Sequence, residues 1–149
     1  MNRFHQLVAT GAYSGYFPKI PGTFASFIGI LLFYPVAAFS PLIQLLMILI
    51  LFALGVGSSF AVEKALGQTD PGIIVIDEIV GIWISLFLVP LQWKSLVIGF
   101  ILFRILDIRK PFLIHHLQSL KGGWGVMLDD CLAGLYTNLS LHVILYFWS

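Results

Sequence analysis

From Leu42 to Ala61 the chain carries no charged side chain. A stretch of roughly 20 apolar residues is the length of helix that crosses the hydrocarbon core of a bilayer. Inside that core every backbone N–H and C=O must be bonded internally, which a helix does within one segment. Other apolar runs accompany this one: Thr23 to Phe39, Ile73 to Val89, Trp93 to about Lys110, and Asp129 to Trp148. Hydrophobic residues make up 59% of the 149 positions and charged residues 10%, whereas a soluble domain is nearer half and a quarter. The expected fold class is therefore all-α: a multi-pass helical membrane protein with about four to five membrane helices plus short interfacial helices. One membrane-embedded domain over residues 1–149 is expected from the length.

The runs are separated by recognisable breaks. Asn2 to Thr10 places Phe4, Leu7 and Val8 on one face and reads as a short helix lying in the interface. Gly11 to Gly22 reads as a loop punctuated by glycine and proline. Thr23 stands where an N-cap belongs. Ser40-Pro41, Asp70-Pro71-Gly72 and Pro90-Leu91-Gln92 mark turns, and Phe112 to Leu120 suggests a second interfacial helix. Lys121 to Gly125 reads as a loop, which puts Asp129 and Asp130 in the first turn of the last helix. The central pair of runs is short for a full crossing and is open to a tilted or a re-entrant reading. The N-terminal MNRFHQLVATG has no apolar core of the kind a signal peptide carries.

Charge is distributed by side. Pairing the runs puts Arg3, Lys19, Lys64, Arg104, Arg109, Lys110 and Lys121 on one membrane face, with Lys94 alone opposite. The positive-inside rule makes the crowded face cytoplasmic. All seven carboxylates fall on that face too, which the rule does not predict and which points to a site. A net charge of +1 gives no general attraction for nucleic acid, and the single Cys131 excludes an intrachain disulfide.

Five of those acids, Asp77, Glu78, Asp107, Asp129 and Asp130, lie at or just inside helix ends, where burial of a carboxylate is expensive. Oxygen-only ligands suit a hard cation such as Mg²⁺. In FRILDIRKP (Phe103 to Pro111), Arg104, Asp107 and Lys110 recur at steps of three, which keeps side chains on one helix face. Arg104, Lys110 and Lys19 are candidate grips for phosphate oxygens, and Thr23 with the N–H groups at its helix start is a second anion site. Blander readings compete. Asp129 and Asp130 can cap a helix, Arg104 and Asp107 can form a structural ion pair, and Asp70 reads as a turn residue. His115-His116 lacks the spacing of paired metal ligands, Asn138, Ser140 and His142 suit interhelical hydrogen bonds, and nothing near Cys131 makes it a nucleophile.

The ordered motifs PGT (Pro21 to Thr23), IDEIVG (Ile76 to Gly81), FRILDIRKP and GGWGVMLDDCLAG (Gly122 to Gly134) resemble the phosphatidylglycerophosphatase A family across roughly Gly11 to Gly134. The resemblance implies a Mg²⁺-dependent phosphatase in the bacterial cytoplasmic membrane, its active site facing the cytoplasm. The implied reaction converts the phospholipid phosphatidylglycerophosphate to phosphatidylglycerol and phosphate. It points at Asp77, Glu78, Arg104, Asp107, Lys110, Asp129 and Asp130, with Asp77, Glu78, Asp129 and Asp130 as the main metal ligands and Asp107 as a further ligand or general base. Ala25 stands where the family often has Gly, and Leu113 where a second Pro is common. Alternatives from the residues alone are a metal-dependent lipid headgroup transferase, a small ion- or proton-coupled transporter, and an assembly subunit without catalysis.

Overall fold

The computed structural model describes residues 2–148, and every regular element among them is helical. Seven α-helices follow one another: α1 (Arg3–Ala9), α2 (Pro21–Val36), α3 (Pro41–Leu66), α4 (Ile76–Leu86), α5 (Trp93–Arg109), α6 (Ile114–Leu117) and α7 (Gly123–Trp148). A single 3₁₀ turn, Ser14–Tyr16, interrupts the first loop.

The organising element is α4. It is only 11 residues long, about 16 Å at helical rise, and nearly every side chain on it is buried. A helix that is apolar all round belongs inside protein rather than at its surface. It packs against α7 and α2, and also touches α3 and α5. Two hydrogen-bonded features fix it. The Trp83 indole Nε1 donates to Gly29 O of α2 at 2.9 Å. At the same C-terminal end Asn138 of α7 donates through Nδ2 to Ser85 O at 3.2 Å and Phe87 O at 2.8 Å. These are carbonyls that a helix terminus leaves open, so Asn138 makes the interhelical bonds its position suggests. Ser140 and His142 instead bond carbonyls of their own helix.

Backbone contact between α4 and α7 is unusually close. A Cβ on Gly134 would strike Gly81 O, and one on Gly81 would lie 2.9 Å from Asp130 O and 2.6 Å from the Phe103 ring. Two glycines facing each other let the helices meet main chain to main chain, as small residues do in membrane bundles. That crossing sets Asp77 and Glu78, near the start of α4, against the turn of α7 that carries Asp129 and Asp130.

Helices α3 and α7, 26 residues each, are long and apolar enough to cross a bilayer. Large apolar side chains stand exposed on several helices, among them Phe27 and Leu31 on α2, Leu49 and Ile50 on α3, Ile101 and Ile105 on α5, and Leu139 and Val143 on α7. Exposed apolar surface on this scale marks contact with membrane or another apolar surface, and with the two long helices it points to a membrane protein. The other expected crossings fall on α2, α4 and α5, which have 16, 11 and 17 residues.

Several boundaries differ from the sequence expectation. Helix α2 begins at Pro21, with Ile20 as N-cap and no side-chain cap. Proline lacks the N–H that a first-turn residue cannot use anyway, so Thr23 lies inside the first turn rather than capping it. Helix α7 begins at Gly123. The glycines there were expected in a loop, but a Cβ on Gly123 would strike Val56 O of α3, so close packing outweighs poor helix propensity. Asp129 and Asp130 therefore sit well inside α7, and the helix-capping reading of that pair is overturned. The second interfacial helix shrinks to the four residues of α6.

Candidate metal centre and active site

The end of α5 shows how the sequence builds the site. Pro111 disfavours helical geometry at the residue before it, and α5 stops at Arg109, with Lys110 in the left-handed region at φ 44°. A non-glycine residue pays of order 1–2 kcal/mol for that conformation. Lys110 therefore leaves the helix face it was expected to share with Arg104 and Asp107, and its Nζ pairs directly with Asp129 Oδ2 on α7. Burial works against the Lys110 charge, but Asp129, Asp130 and Asp107 outweigh it and hold the ammonium above its ordinary pKa.

Arg104 and Asp107 do remain on one face. Arg104 Nη1 donates to Asp107 Oδ2 at 2.5 Å, lies 4.0 Å from Glu78 Oε1, and reaches Ser26 Oγ at 3.5 Å. Gly22 of α2 leaves room for this group: a Cβ there would strike Glu78 Oε1 and lie 3.3 Å from Arg104 Nη2. The first turn of α2 thus abuts both charges, and its Gly22 and Thr23 N–H groups have no intrahelical acceptor.

These residues surround a cavity of about 370 Å³ lined by Lys19, Thr23, Asp70, Asp77, Glu78, Arg104, Asp107, Lys110 and Asp130, together with Gly22, Ile20 and Ile108. Every candidate named from sequence is in that wall except Asp129, which sits behind it against Lys110. Lys94 lies at the opposite end of α5, with its ammonium 5.4 Å from the Trp148 ring centroid.

Asp129 is fully engaged, since its Oδ1 also accepts the Asp130 N–H at 2.9 Å. Three other acids are not. Asp77 Oδ1, Glu78 Oε2 and Asp130 Oδ2 are buried and have no hydrogen-bond partner among the described residues, as does Arg104 Nε. A buried polar atom without a partner is costly, and three carboxylate oxygens left so in one place fit a cation. Among the described residues, two sets of acids each bring one oxygen apiece within 4.8 Å of one another: Asp77, Asp129 and Asp130, and Glu78, Asp107 and Asp130. The cluster can hold a metal ion, and its donors are all carboxylate oxygens, the choice of a hard cation.

Sequence reasoning missed three contributors. Asp70 reads as a turn residue, and its backbone is indeed left-handed at φ 47°, yet it also lines the cavity and accepts from Gln118 Nε2 at 3.3 Å. Its place on the acid-rich face was the available signal. Gly22 showed only as the middle of the PGT motif and Ser26 gave no signal, because the role of both is set by residues distant in sequence.

The sequence model of the family described as phosphatidylglycerophosphatase A matches residues 7–145. A Bacteroides thetaiotaomicron protein provisionally named a phosphatidylinositol-3-phosphatase is 41% identical over 146 residues, covering 92% of this chain and 91% of its own. The phosphatidylglycerophosphatase A of Escherichia coli is 35% identical over 149 residues, covering 99% of this chain and 86% of its own. That of Haemophilus influenzae is 36% identical over 149 residues, covering 98% and 91%. No solved structure matches the chain.

Proposed function

Since this chain belongs to the phosphatidylglycerophosphatase A family and is a phosphatase, we propose that it hydrolyses phosphatidylglycerophosphate to phosphatidylglycerol and phosphate. We place the reaction, with Mg²⁺ as cofactor, at the cytoplasmic face of a bacterial membrane, in a single multi-pass domain in which α2, α5 and the short α4 complete the crossings begun by α3 and α7. The observation that carries this reading is the convergence of partnerless carboxylate oxygens with Arg104 and Lys110 around one cavity. The cavity wall also includes Ile20 and Ile108, both exposed apolar residues. A substrate with acyl chains in the bilayer and a headgroup ending in a phosphate monoester fits a wall that is part apolar and part charged.

In the reaction, the oxygen of a water bonds to phosphorus as that water gives up a proton, the bond from phosphorus to the glycerol oxygen breaks, and that oxygen takes up a proton in exchange. Asp77, Glu78, Asp129 and Asp130 would hold the cation, with Asp107 completing the set on the Arg104 side. A bound divalent ion supplies polarisation of a phosphoryl oxygen and neutralises charge in the transition state. Arg104 and Lys110 orient the phosphate. Lys110 uses one of its three N–H donors on Asp129 and keeps two for oxygens of the substrate. Lys19, Thr23 and the free N–H groups of α2 form the opposing wall, where a helix N-terminus favours an anion.

Arg104→Lys is expected to lower kcat/KM for phosphate release by roughly 10–100-fold, because an ammonium keeps the charge but loses the planar fork. Activity equal to wild type would show that Arg104 serves only its pair with Asp107.

Substrate choice is tested by phosphate release from phosphatidylglycerophosphate and phosphatidylinositol 3-phosphate in mixed micelles with the purified chain. The name of the Bacteroides relative favours the second lipid. Faster release from phosphatidylglycerophosphate is expected. Preference for the inositide would reassign the headgroup, and exchange of labelled headgroup without phosphate release would support a transferase instead.

A further inference from the structure

We propose that the site takes two divalent cations rather than one, with Asp130 as the carboxylate they share. This rests on the metal-dependent phosphatase reading and goes beyond it in the number of ions and in the division of labour among the acids. Three observations carry it.

The two sets of acids are distinct except for Asp130. Asp77 and Glu78 are neighbours on α4, and successive residues on a helix point about 100° apart, so each serves a different set. Asp129 on α7 completes one and Asp107 on α5 the other. Asp130 thus stands between two half-sites that share α4 and α7 and differ in that only the second draws on α5, which a cradle for a single ion does not require.

The partnerless oxygens follow the same division. Asp77, which bears one of them, belongs to the first set, Glu78 to the second, and Asp130 to both. Asp77 and Asp130 are 7% and 2% exposed, so water does not readily satisfy them. One ion in the first set would leave Glu78 Oε2 without a partner, and one in the second would leave Asp77 Oδ1 so.

Charge points the same way. With all five carboxylates deprotonated, as cation ligands must be, they leave three negative charges against one guanidinium and one ammonium. One divalent ion leaves a single negative charge, and a phosphate monoester, itself close to doubly negative, would then meet a repelling site. Two ions leave one positive charge, which attracts the headgroup. Paired ions are also a recurring solution for clamping the attacking and leaving oxygens in phosphoryl chemistry.

The test is to strip the full chain of metal in detergent micelles and titrate it with Mn²⁺, counting bound ions and recording the electron paramagnetic resonance spectrum. The expected result is about two Mn²⁺ per chain with a spin-coupled spectrum, since ions sharing a carboxylate lie close together. Asp77→Asn and Glu78→Gln are each expected to reduce the count to about one and abolish the coupling, whereas Asp130→Asn weakens both ions. A wild-type count of one, or two ions without coupling, overturns the proposal, and this wild-type measurement needs no variant to fold. Metal-dependent phosphate release with one bound Mn²⁺ would remove the paired arrangement and leave the phosphatase reading standing. Loss of both release and Mn²⁺ binding in the wild type would remove both.

Discussion

Asp130→Asn is expected to reduce phosphate release by more than about 100-fold while the helices stay folded. Groups that merely support a metal ligand are worth roughly 10–100-fold when mutated, and Asp130 belongs to both sets of acids that can hold an ion. The substitution keeps the side chain's shape and replaces one oxygen with an NH₂ group that cannot ligate. Folding should not suffer. Asp130 is 2% exposed beside Asp107, Glu78 and Asp129, and without an ion those like charges repel. Neutralising one relieves the repulsion, so the metal-free variant should melt at the same temperature as the wild type or above it, as followed by tryptophan fluorescence. Asp77→Asn and Asp129→Asn each touch a single set and should cost less. Wild-type turnover in Asp130→Asn would remove this carboxylate from the chemistry, and an unfolded variant would show it to be structural.

Gly134→Ala should cost about 1–3 kcal/mol in stability, the usual penalty of overpacking, and lower activity and Mn²⁺ affinity together by at least roughly tenfold. The added methyl falls on Gly81 O and lies 3.1 Å from its carbonyl carbon. Neither is the flexible tip of a side chain, so α4 itself must move. That helix carries Asp77 and Glu78, and a displacement of about 1 Å can cost roughly 100-fold in a catalytic site. Gly57→Ala is the control. It adds the same methyl group to α3, where a Cβ meets nothing within 4 Å, and it should leave turnover unchanged. Gly134→Ala indistinguishable from Gly57→Ala in both melting and metal affinity would mean that the glycine crossing does not set the site's geometry.

The fold was legible where composition alone decided it. The uncharged stretch in α3 reads as a spanning helix from any starting point, and the amphipathic spacing of Phe4, Leu7 and Val8 locates α1. Boundaries were hidden where tertiary contact overrides local preference. Gly122 to Gly125 has loop composition, yet the chain is helical from Gly123 because that glycine fits against the backbone of α3. The acids that gather at the cavity were legible as a set, since carboxylates in or beside apolar runs are expensive and call for a partner. Their partners were not. The three-residue spacing of Arg104, Asp107 and Lys110 implied one shared face, but the left-handed turn at Lys110 sends its ammonium to Asp129, 19 positions along the chain. Asp70 was hidden by its own turn signal, because Asp-Pro-Gly explains its presence without any site.

Phosphate release from phosphatidylglycerophosphate by the purified chain, measured with Mg²⁺, with a chelator, and after Mg²⁺ is restored, tests the carboxylate-held cation most directly. Release with Mg²⁺, loss to background in chelator and recovery on restoring the ion are the predicted results. Release that continues undiminished after the metal is stripped would contradict a phosphatase whose chemistry depends on a cation held by Asp77, Glu78, Asp129 and Asp130.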